Sequence, residues 1–574
     1  MPYFPQEVVE CIFSYLTSHQ DRNSVSLVCK DWSVIEQKTR RHVYVANCYA
    51  VSPTRVATRF PGLWVLTVKG MPHFADFRLV PRGWGGSVQP WINAMACSCP
   101  RLEEIRFKRM VVSDESLMLI SRSFPNLKAL VLVSCRAFST DGLTYIASSC
   151  RQLRELDLQE NEVNDRGSQW LECFPNSFTS LESLKFTCLR SAVNSATLEG
   201  LVARCPNLRT LHVNSSISVE CLSRILIRAP RLVDLGTGSL SSNQMGWYRR
   251  LFYSFQKCKG LKSLSGIWFV GPRTFQPVVY PVCGNLLSLK LSSAPWILKS
   301  DLLNVISNCP RLQKLWVVDR IGDEGLAVVG STCQDLRELR VFQSNFHGPS
   351  CWVTDEGLIA ISTGCPKLNC LLYYCAQMTN AALMTVAKNC PDLIQFKLRN
   401  LDPVKPDPVT NHPLDEGFGA IVQGCKGLKR LSLSGFLTDQ VFLYIGMYAE
   451  QLEMLSIAYA GETDNGMMYV LNGCKNLRKL KIQDCPFGDG ALLEDFTKYE
   501  TLRSLWMSSC EVTIGGCKAL AAKNTQLSVE VISDLNSISG LSLEPSKNQR
   551  AEKVYIYRTV AGPRTDAPTN VSIL

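Results

Sequence analysis

The pattern C-P-x-L-x-x-L-x-L returns along most of the chain, as at Cys205-Pro206-Asn207-Leu208, Cys309-Pro310-Arg311-Leu312 and Cys365-Pro366-Lys367-Leu368. Taking the first leucine of each unit as position 1, 18 index leucines run from Leu63 to Leu527. Each unit offers a short strand such as Leu428 to Leu433, then a helix signal such as Thr438 to Ile445. Neither piece buries its apolar face alone, so units must stack. The fold class is therefore α/β, a leucine-rich-repeat solenoid of about 18 repeats curving from horseshoe to ring, with a small helical unit at the N-terminus. The recurring cysteine reads as a small buried hydrophobe that closes each helix. Neither Cys97/Cys99 nor Cys370/Cys375 belongs to a paired zinc-ligand set.

Strand alternation gives the surface a direction: with positions 1, 4 and 6 in the core, positions 3, 5 and 7 face the concave side. That side carries Lys69, Arg106, Lys108, Lys314, Arg340, Lys397, Arg399, Arg430, Lys479 and Lys481, against few acids, Glu104 and Glu338. Cations converging in a curved interior repel one another unless an anion sits among them. A bound polyanion is expected.

Three spacings between index leucines are long: Leu63 to Leu102, Leu336 to Leu368 and Leu393 to Leu428. They hold "KGMPHFADFRLVPRGWGGSVQP", "QSNFHGPSCW" and the proline-rich "LRNLDPVKPDPVTNHPLDEG". Each insertion follows a strand on its carboxyl side, so the loops at 69–90, 342–354 and 400–416 are expected to rise from one rim as a composite site. Prolines stiffen such loops, and Phe74, Phe77, Trp84, Phe346 and Trp352 are costly to leave in water.

Residues 1–46 do not fit the repeat and are read as a separate helical domain. "FPQEVVECIFSYL" places Val8, Val9, Ile12, Phe13 and Leu16 on one stripe, with Pro5 where a helix start tolerates it. A second apolar helix follows through Val25, Leu27, Val28 and Trp32. So small a unit must lean on the solenoid or on a partner. The solenoid is assigned to 47–564, and 565–574, "TDAPTNVSIL", is expected to be disordered.

The composition, 46% apolar and 19% charged, is that of a folded globular chain, and its net charge of +11 favours an acidic partner. The opening "MPYFPQE" lacks the features of a secretory signal and no apolar run is long enough for a membrane span, so an intracellular protein with 25 free thiols and no membrane partner is expected. The six histidines are scattered, and H-E-x-x-H, G-x-S-x-G and a phosphate-binding G-x-x-x-x-G-K-[ST] do not occur. A non-catalytic role is expected. A nucleic-acid partner is not, since no RNP-type or helix-turn-helix signature accompanies the basic residues.

"FPQEVVECIFSYL" with "DRNSVSLVCKDW" resembles an F-box, which implies docking on a Skp-family adaptor and through it on a cullin, in an SCF ubiquitin ligase. Phe4, Pro5, Val8, Val9, Ile12, Phe13, Leu16, Val25, Leu27, Val28 and Trp32 would form that contact. With "NCYAVSP", "KGMPHFADF", "LSLSGFLTD", "SLWMSSC" and "YIYRTVAGPR", almost the whole chain is similar to the plant auxin-receptor F-box family. The resemblance implies a nuclear receptor that recruits Aux/IAA transcriptional repressors for ubiquitination and degradation. Inositol hexakisphosphate would be a structural cofactor, cradled by Lys69, Lys108, Arg109, Arg340, Lys397, Arg430, Arg478, Lys479 and Arg503. Auxin, indole-3-acetic acid, would fill a gap between the receptor and the degron of the repressor. Its pocket would use His73, Phe74, Phe77, Phe346, Leu372, Lys397, Ser432, Leu433, Ser434, Gly435, Ile457 and Ala458.

The sequence departs from the family at two positions. Lys397 stands where the family anchors the auxin carboxylate with an arginine, and Gln395 replaces another arginine two residues earlier. Lysine keeps the charge but loses the planar two-pronged hydrogen bond, a loss of ~1.5–3 kcal/mol, or about tenfold to a hundredfold in affinity. The alternative reading is a divergent F-box adaptor that enters the ligase but binds another small ligand, or is insensitive to auxin because of Lys397.

Overall fold

The computed structural model describes residues 5–70, 86–240, 245–270, 275–294, 297–344, 351–533, 552–557 and 571–573. The described residues divide into two compact units, those of 5–240 in the first and the rest in the second.

The first unit begins with helices Gln6–Ser14, His19–Val25 and Lys30–Thr39. Ser18 caps the second through its side chain, which accepts from the Asp21 amide at 3.3 Å. Val9, Phe13 and Ile35 make the small core, with Leu16, Val25 and Trp32 packed against it. The Trp32 ring meets Phe13 edge-on at 5.4 Å. So few apolar groups need polar support. Arg22 donates to the Leu16 carbonyl at 3.1 Å and to Thr39 Oγ1 at 2.8 Å, while buried Arg40 pairs with buried Glu36 and donates to Asn23 Oδ1 at 2.9 Å.

The expected boundary at residue 46 needs correction. Strand His42–Val45 pairs in parallel with Val65–Lys69, His42 opposite Val65. The helical unit thus ends at Thr39, and the first sheet strand, "HVYV", carries no leucine by which the repeat could have revealed it. Parallel pairing continues through Glu104–Lys108, Ala129–Val133, Glu155–Gln159, Ser183–Lys185, Thr210–His212 and Asp234–Leu240.

The second unit repeats the arrangement from Ser263–Val270 to Ser528–Ser533, where each described pair of neighbouring strands is parallel. Glu552–Tyr557 then adds antiparallel to Ser528–Ser533, and Val571–Ile573 lies parallel to Glu552–Tyr557. The expectation of a wholly disordered tail fails at these three residues, whose backbone groups find partners on the added strand.

Positions 1, 4 and 6 are core, as alternation requires: Leu428, Leu431 and Leu433 are all buried. The cysteines close the helices, as expected. Cys365, Cys390 and Cys425 each stand at a helix C-cap. Their thiols also link repeats, Cys365 Sγ donating to the Cys333 carbonyl at 3.4 Å and Cys425 Sγ to that of Cys390 at 3.4 Å. Burial pushes both thiols up to about 12, so they stay protonated.

A second ladder joins the helix starts. Asp415 accepts from the Thr438 amide and hydroxyl at 3.0 and 2.6 Å, and Asp489 accepts from those of Thr513 at 2.9 and 2.5 Å. Glycine is needed beside such a carboxylate. A Cβ on Gly516 would lie 2.5 Å from Asp489 Oδ1, and one on Gly357 would lie 2.4 Å from Asp323 Oδ1.

Candidate ligand site and adaptor face

Strand registers turn the alternating positions into rows. In the second unit, position 5 forms the row Lys290, Trp316, Arg340, Leu372, Lys397, Ser432, Ser456, Lys481, Trp506, each residue opposite the next, and the row ends on Glu530, opposite Trp506. Position 3 gives Lys314, Glu338, Cys370, Gln395, Arg430, Met454, Lys479 and Ser504. At position 7, Tyr374 lies opposite Arg399, and Ser434, Ala458, Gln483 and Ser508 follow one another.

These rows bring Leu372, Lys397 and Ser432 side by side, with Ser434 and Ala458 one pleat further along. Gly435 follows Ser434, and a Cβ there would meet Leu414 Cδ1 at 3.0 Å. Leu433 and Ile457 do not line this surface: they are 1% and 3% exposed, on the core face of their strands. His73, Phe74, Phe77 and Phe346 lie outside the described residues.

The expected polyanion cradle divides between the units. In the first, Lys69 and Lys108 are opposite one another at position 7, and Arg109 follows with a left-handed backbone, φ 54°. Burial lowers the pKa of Lys108, and the charges of Arg109 and Lys69 lower it further, against the pull of Glu160. Crowded like charges of this kind favour a bound anion. Two other cations on strands of this unit, Arg106 and Lys185, are quenched. Arg106 pairs with Glu155 at 2.7 Å and Glu104 at 3.0 Å, Lys185 with Asp157 at 2.9 Å. Burial works against the Arg106 charge, yet Glu155 and Glu104 outweigh it and raise its pKa. The expectation of few acids missed Glu155 and Asp157, both in these rows.

In the second unit Arg430, Lys479, Arg478 and Arg503 are exposed. Arg478 and Arg503 precede their strands, at position 2, so alternation does not put them in the rows. Burial and then the Arg478 charge lower the pKa of Arg503, which marks the two as neighbours. Arg340 is not left to an anion alone: it pairs with Glu338 at 2.7 Å, and its guanidinium lies 4.3 Å from the Trp316 ring centre. Trp316 Nε1 also donates to Glu338 at 3.0 Å.

Position 8, just past the strand or, for Tyr459, one residue before its end, is left-handed in six repeats: Arg109, Ser134, Glu160, Tyr459, Asp484 and Ser509 have φ between 48° and 56°. Non-glycine residues rarely adopt this backbone, and it concentrates at binding sites. Tyr374, Tyr459 and Asp484 were not singled out by the sequence. Their signal is positional, since Tyr374 and Tyr459 stand one residue before the end of their strands and Asp484 just after its own.

Each long loop follows the C-terminal end of its strand, Val65–Lys69, Glu338–Phe342 or Gln395–Asn400, as expected; residues 71–85 and 345–350 lie outside the described set. The proline-rich loop is tied down. Asp407, 1% exposed, accepts from the amides of Asn380 and Val409 at 2.8 Å and Thr410 at 3.1 Å. Asn380 in turn donates to the Pro413 carbonyl at 2.9 Å and accepts from the Gly417 amide at 2.7 Å. Val404 and Val409 are left exposed on it.

On the N-terminal helices the expected adaptor set splits. Val9 and Phe13 are core, and Leu16, Val25 and Trp32 pack on them. Pro5, Val8, Ile12, Leu27 and Val28 are exposed, Leu27 by 85%, joined by Tyr15, which the sequence reading omitted. Phe4 lies outside the described residues. Exposed apolar groups in this number on so small a unit mark a docking face.

Three family models match the chain: an F-box over residues 2–42, a Transport inhibitor response 1 protein domain over 61–107 and a Leucine Rich repeat over 149–168. A Transport inhibitor response 1-like protein of Oryza sativa subsp. japonica is 58% identical over 573 residues, covering 100% of both chains. GRR1-like protein 1 of Arabidopsis thaliana is 51% identical, covering 98% of this chain and 96% of its own. Coronatine-insensitive protein 1 of Arabidopsis thaliana is 31% identical, covering 99% and 96%.

Proposed function

Because the chain belongs to the transport inhibitor response and auxin-signalling F-box family, whose members serve SCF ligases as substrate-recognition subunits and not as catalysts, we propose that it is a hormone-dependent receptor for Aux/IAA repressors. Its F-box engages a Skp1-type adaptor and, through it, a cullin. The solenoid then presents a bound repressor for ubiquitination in the nucleus.

One observation carries the hormone reading. Lys397 stands in register between Leu372 and Ser432, a cation flanked by an apolar wall and a hydroxyl. Apolar walls bury a flat aromatic ring, while the cation and hydroxyl fix its acidic edge. Indole-3-acetic acid fits this chemistry. The crowding of Lys69, Lys108 and Arg109 supports inositol hexakisphosphate as the structural polyanion.

A degron-peptide pull-down tests the proposal. Retention should rise when indole-3-acetic acid is added, and equal retention with and without it removes hormone dependence. A second reading, a divergent adaptor that reads another small carboxylate, is favoured by Lys397 and Gln395 themselves. Lys397→Arg should then strengthen auxin-dependent retention by about tenfold or more; an unchanged signal rejects the lysine as the cause.

A further inference from the structure

Between Asp234 and Asp301 the chain has no acidic residue but eight cations, so this stretch alone carries +8 of a net +11. The helix Met245–Lys257 shows where part of that charge goes. Leu251 and Phe255 form its buried side. Arg249, Arg250, Tyr253 and Lys257, at spacings of three and four, are exposed on the other side, and Lys259 and Lys262 are exposed just past the helix end. This face does not pack on the strands, so it is separate from the rows that bear Lys397 and Arg430. Helix cations elsewhere are balanced from a neighbouring repeat: Arg224 and Arg228 pair with Glu199 at 2.6 and 3.7 Å, and Lys299 pairs with Glu324 at 2.6 Å. No acid among the described residues pairs with Arg249, Arg250, Lys257, Lys259 or Lys262, and the following helix, Phe275–Cys283, has no charged residue. The Arg250 guanidinium carbon lies instead 4.6 Å from the ring centre of Trp247, which fixes the plane of its fork while the residue stays exposed.

We infer that the outer face of Met245–Lys257 is a docking surface for an acidic polypeptide segment, rich in Asp and Glu, of a partner protein. Like charges gathered on one face repel one another until an anion neutralises them, and carboxylates accept directly from arginine and lysine. The dimensions fit a single extended chain. A helix of this length spans about 20 Å, which about six extended residues cover. The stripe is also confined to one helix, because the cations of the helices before and after it in sequence are balanced or absent. A duplex needs cations set for two phosphate strands. A single nucleic-acid strand needs a series of stacking rings, whereas Arg250 already covers Trp247 and Tyr253, 63% exposed, offers one ring. A bilayer needs apolar side chains to insert, and the outward face supplies Tyr253 alone.

The test uses the full chain copurified with its Skp1-type adaptor and three probes: a fluorescein-labelled oligoglutamate peptide, a labelled thymidine oligonucleotide of equal charge, and phosphatidylserine vesicles. Anisotropy at an ionic strength of about 0.1 M should show the peptide bound more tightly than the oligonucleotide, with little protein sedimenting with the vesicles. Arg249→Glu with Lys257→Glu should weaken the peptide by about tenfold or more. Lys388→Glu with Lys518→Glu makes the same change in net charge on exposed helix positions elsewhere in the second unit and should leave the peptide within about twofold. All four positions are exposed, so both variants should melt as wild type does. Equal losses in the two variants, or no binding of the peptide by wild type, would overturn the assignment of this face. If the oligonucleotide or the vesicles bind more tightly than the peptide and lose that binding in Arg249→Glu with Lys257→Glu, the acidic polypeptide is the wrong partner.

Discussion

Glu530 is fully enclosed, and neither carboxylate oxygen has a hydrogen-bond partner among the described residues. Burial pushes its pKa well above the ordinary carboxylate range, against the opposing pull of Lys481 and Lys479. The folded state thus holds a proton that the unfolded chain releases near 4.5. Stability from this group is complete below that point and declines as pH rises through the raised value, because the native state binds more protons across the interval. Glu530→Gln should remove the dependence. The variant should melt higher than wild type at pH 8, with the difference shrinking toward pH 5; a constant difference would show that Glu530 does not titrate in that window. Position counting hid this residue. Leu527 reads as the last index leucine, which puts Glu530 at position 4 on the core side, yet register sets it opposite Trp506 on the concave row. Counting from a leucine cannot detect a turn that is one residue shorter.

Elements were easier to read than single side chains. The leucine period, the helix-closing cysteines and the concave rows follow from burial alternating on a strand, and one repeat predicts the next. What the repeat does not encode was missed: the leucine-free strand His42–Val45, the left-handed position 8 and the acids that quench Arg106 and Lys185. The proline-rich loop shows why an interruption can be rigid. Asp407 gathers three amides into a buried spot, so Asp407→Ala should leave the Asn380 amide without an acceptor and destabilise by about 1–3 kcal/mol. Urea midpoints measure the loss, and hydrogen exchange should quicken across 400–416; unchanged exchange there would mean that the prolines alone hold the loop. The F-box yields a paired prediction. Ile12→Asp, on the exposed face, should abolish copurification with a Skp1-type adaptor without lowering the melting point. Phe13→Ala, in the core, should cost about 3–5 kcal/mol of local stability, seen as faster exchange over residues 6–39. Equal adaptor binding by Ile12→Asp and wild type would show that this face is not the contact.

For the whole molecule, the net charge of +11 is less informative than where charge goes unbalanced. In the first unit, Lys185 is balanced by Asp157, whereas Lys108 is crowded by Lys69 and Arg109. A polyanion that neutralises the crowded cations binds the folded state alone, because the unfolded chain disperses them. Inositol hexakisphosphate at about a hundred times its dissociation constant should then stabilise the chain by about 2.7 kcal/mol. The melting point should rise accordingly, and less so in high salt, where screening weakens both the repulsion and its relief. Two variants separate a specific cradle from general attraction to a basic protein. Lys108→Gln should shrink the rise, while Lys185→Gln, which removes the same formal charge from an already balanced pair, should leave it nearly intact. If both variants shrink the rise equally, net charge and not the crowded cluster governs anion binding.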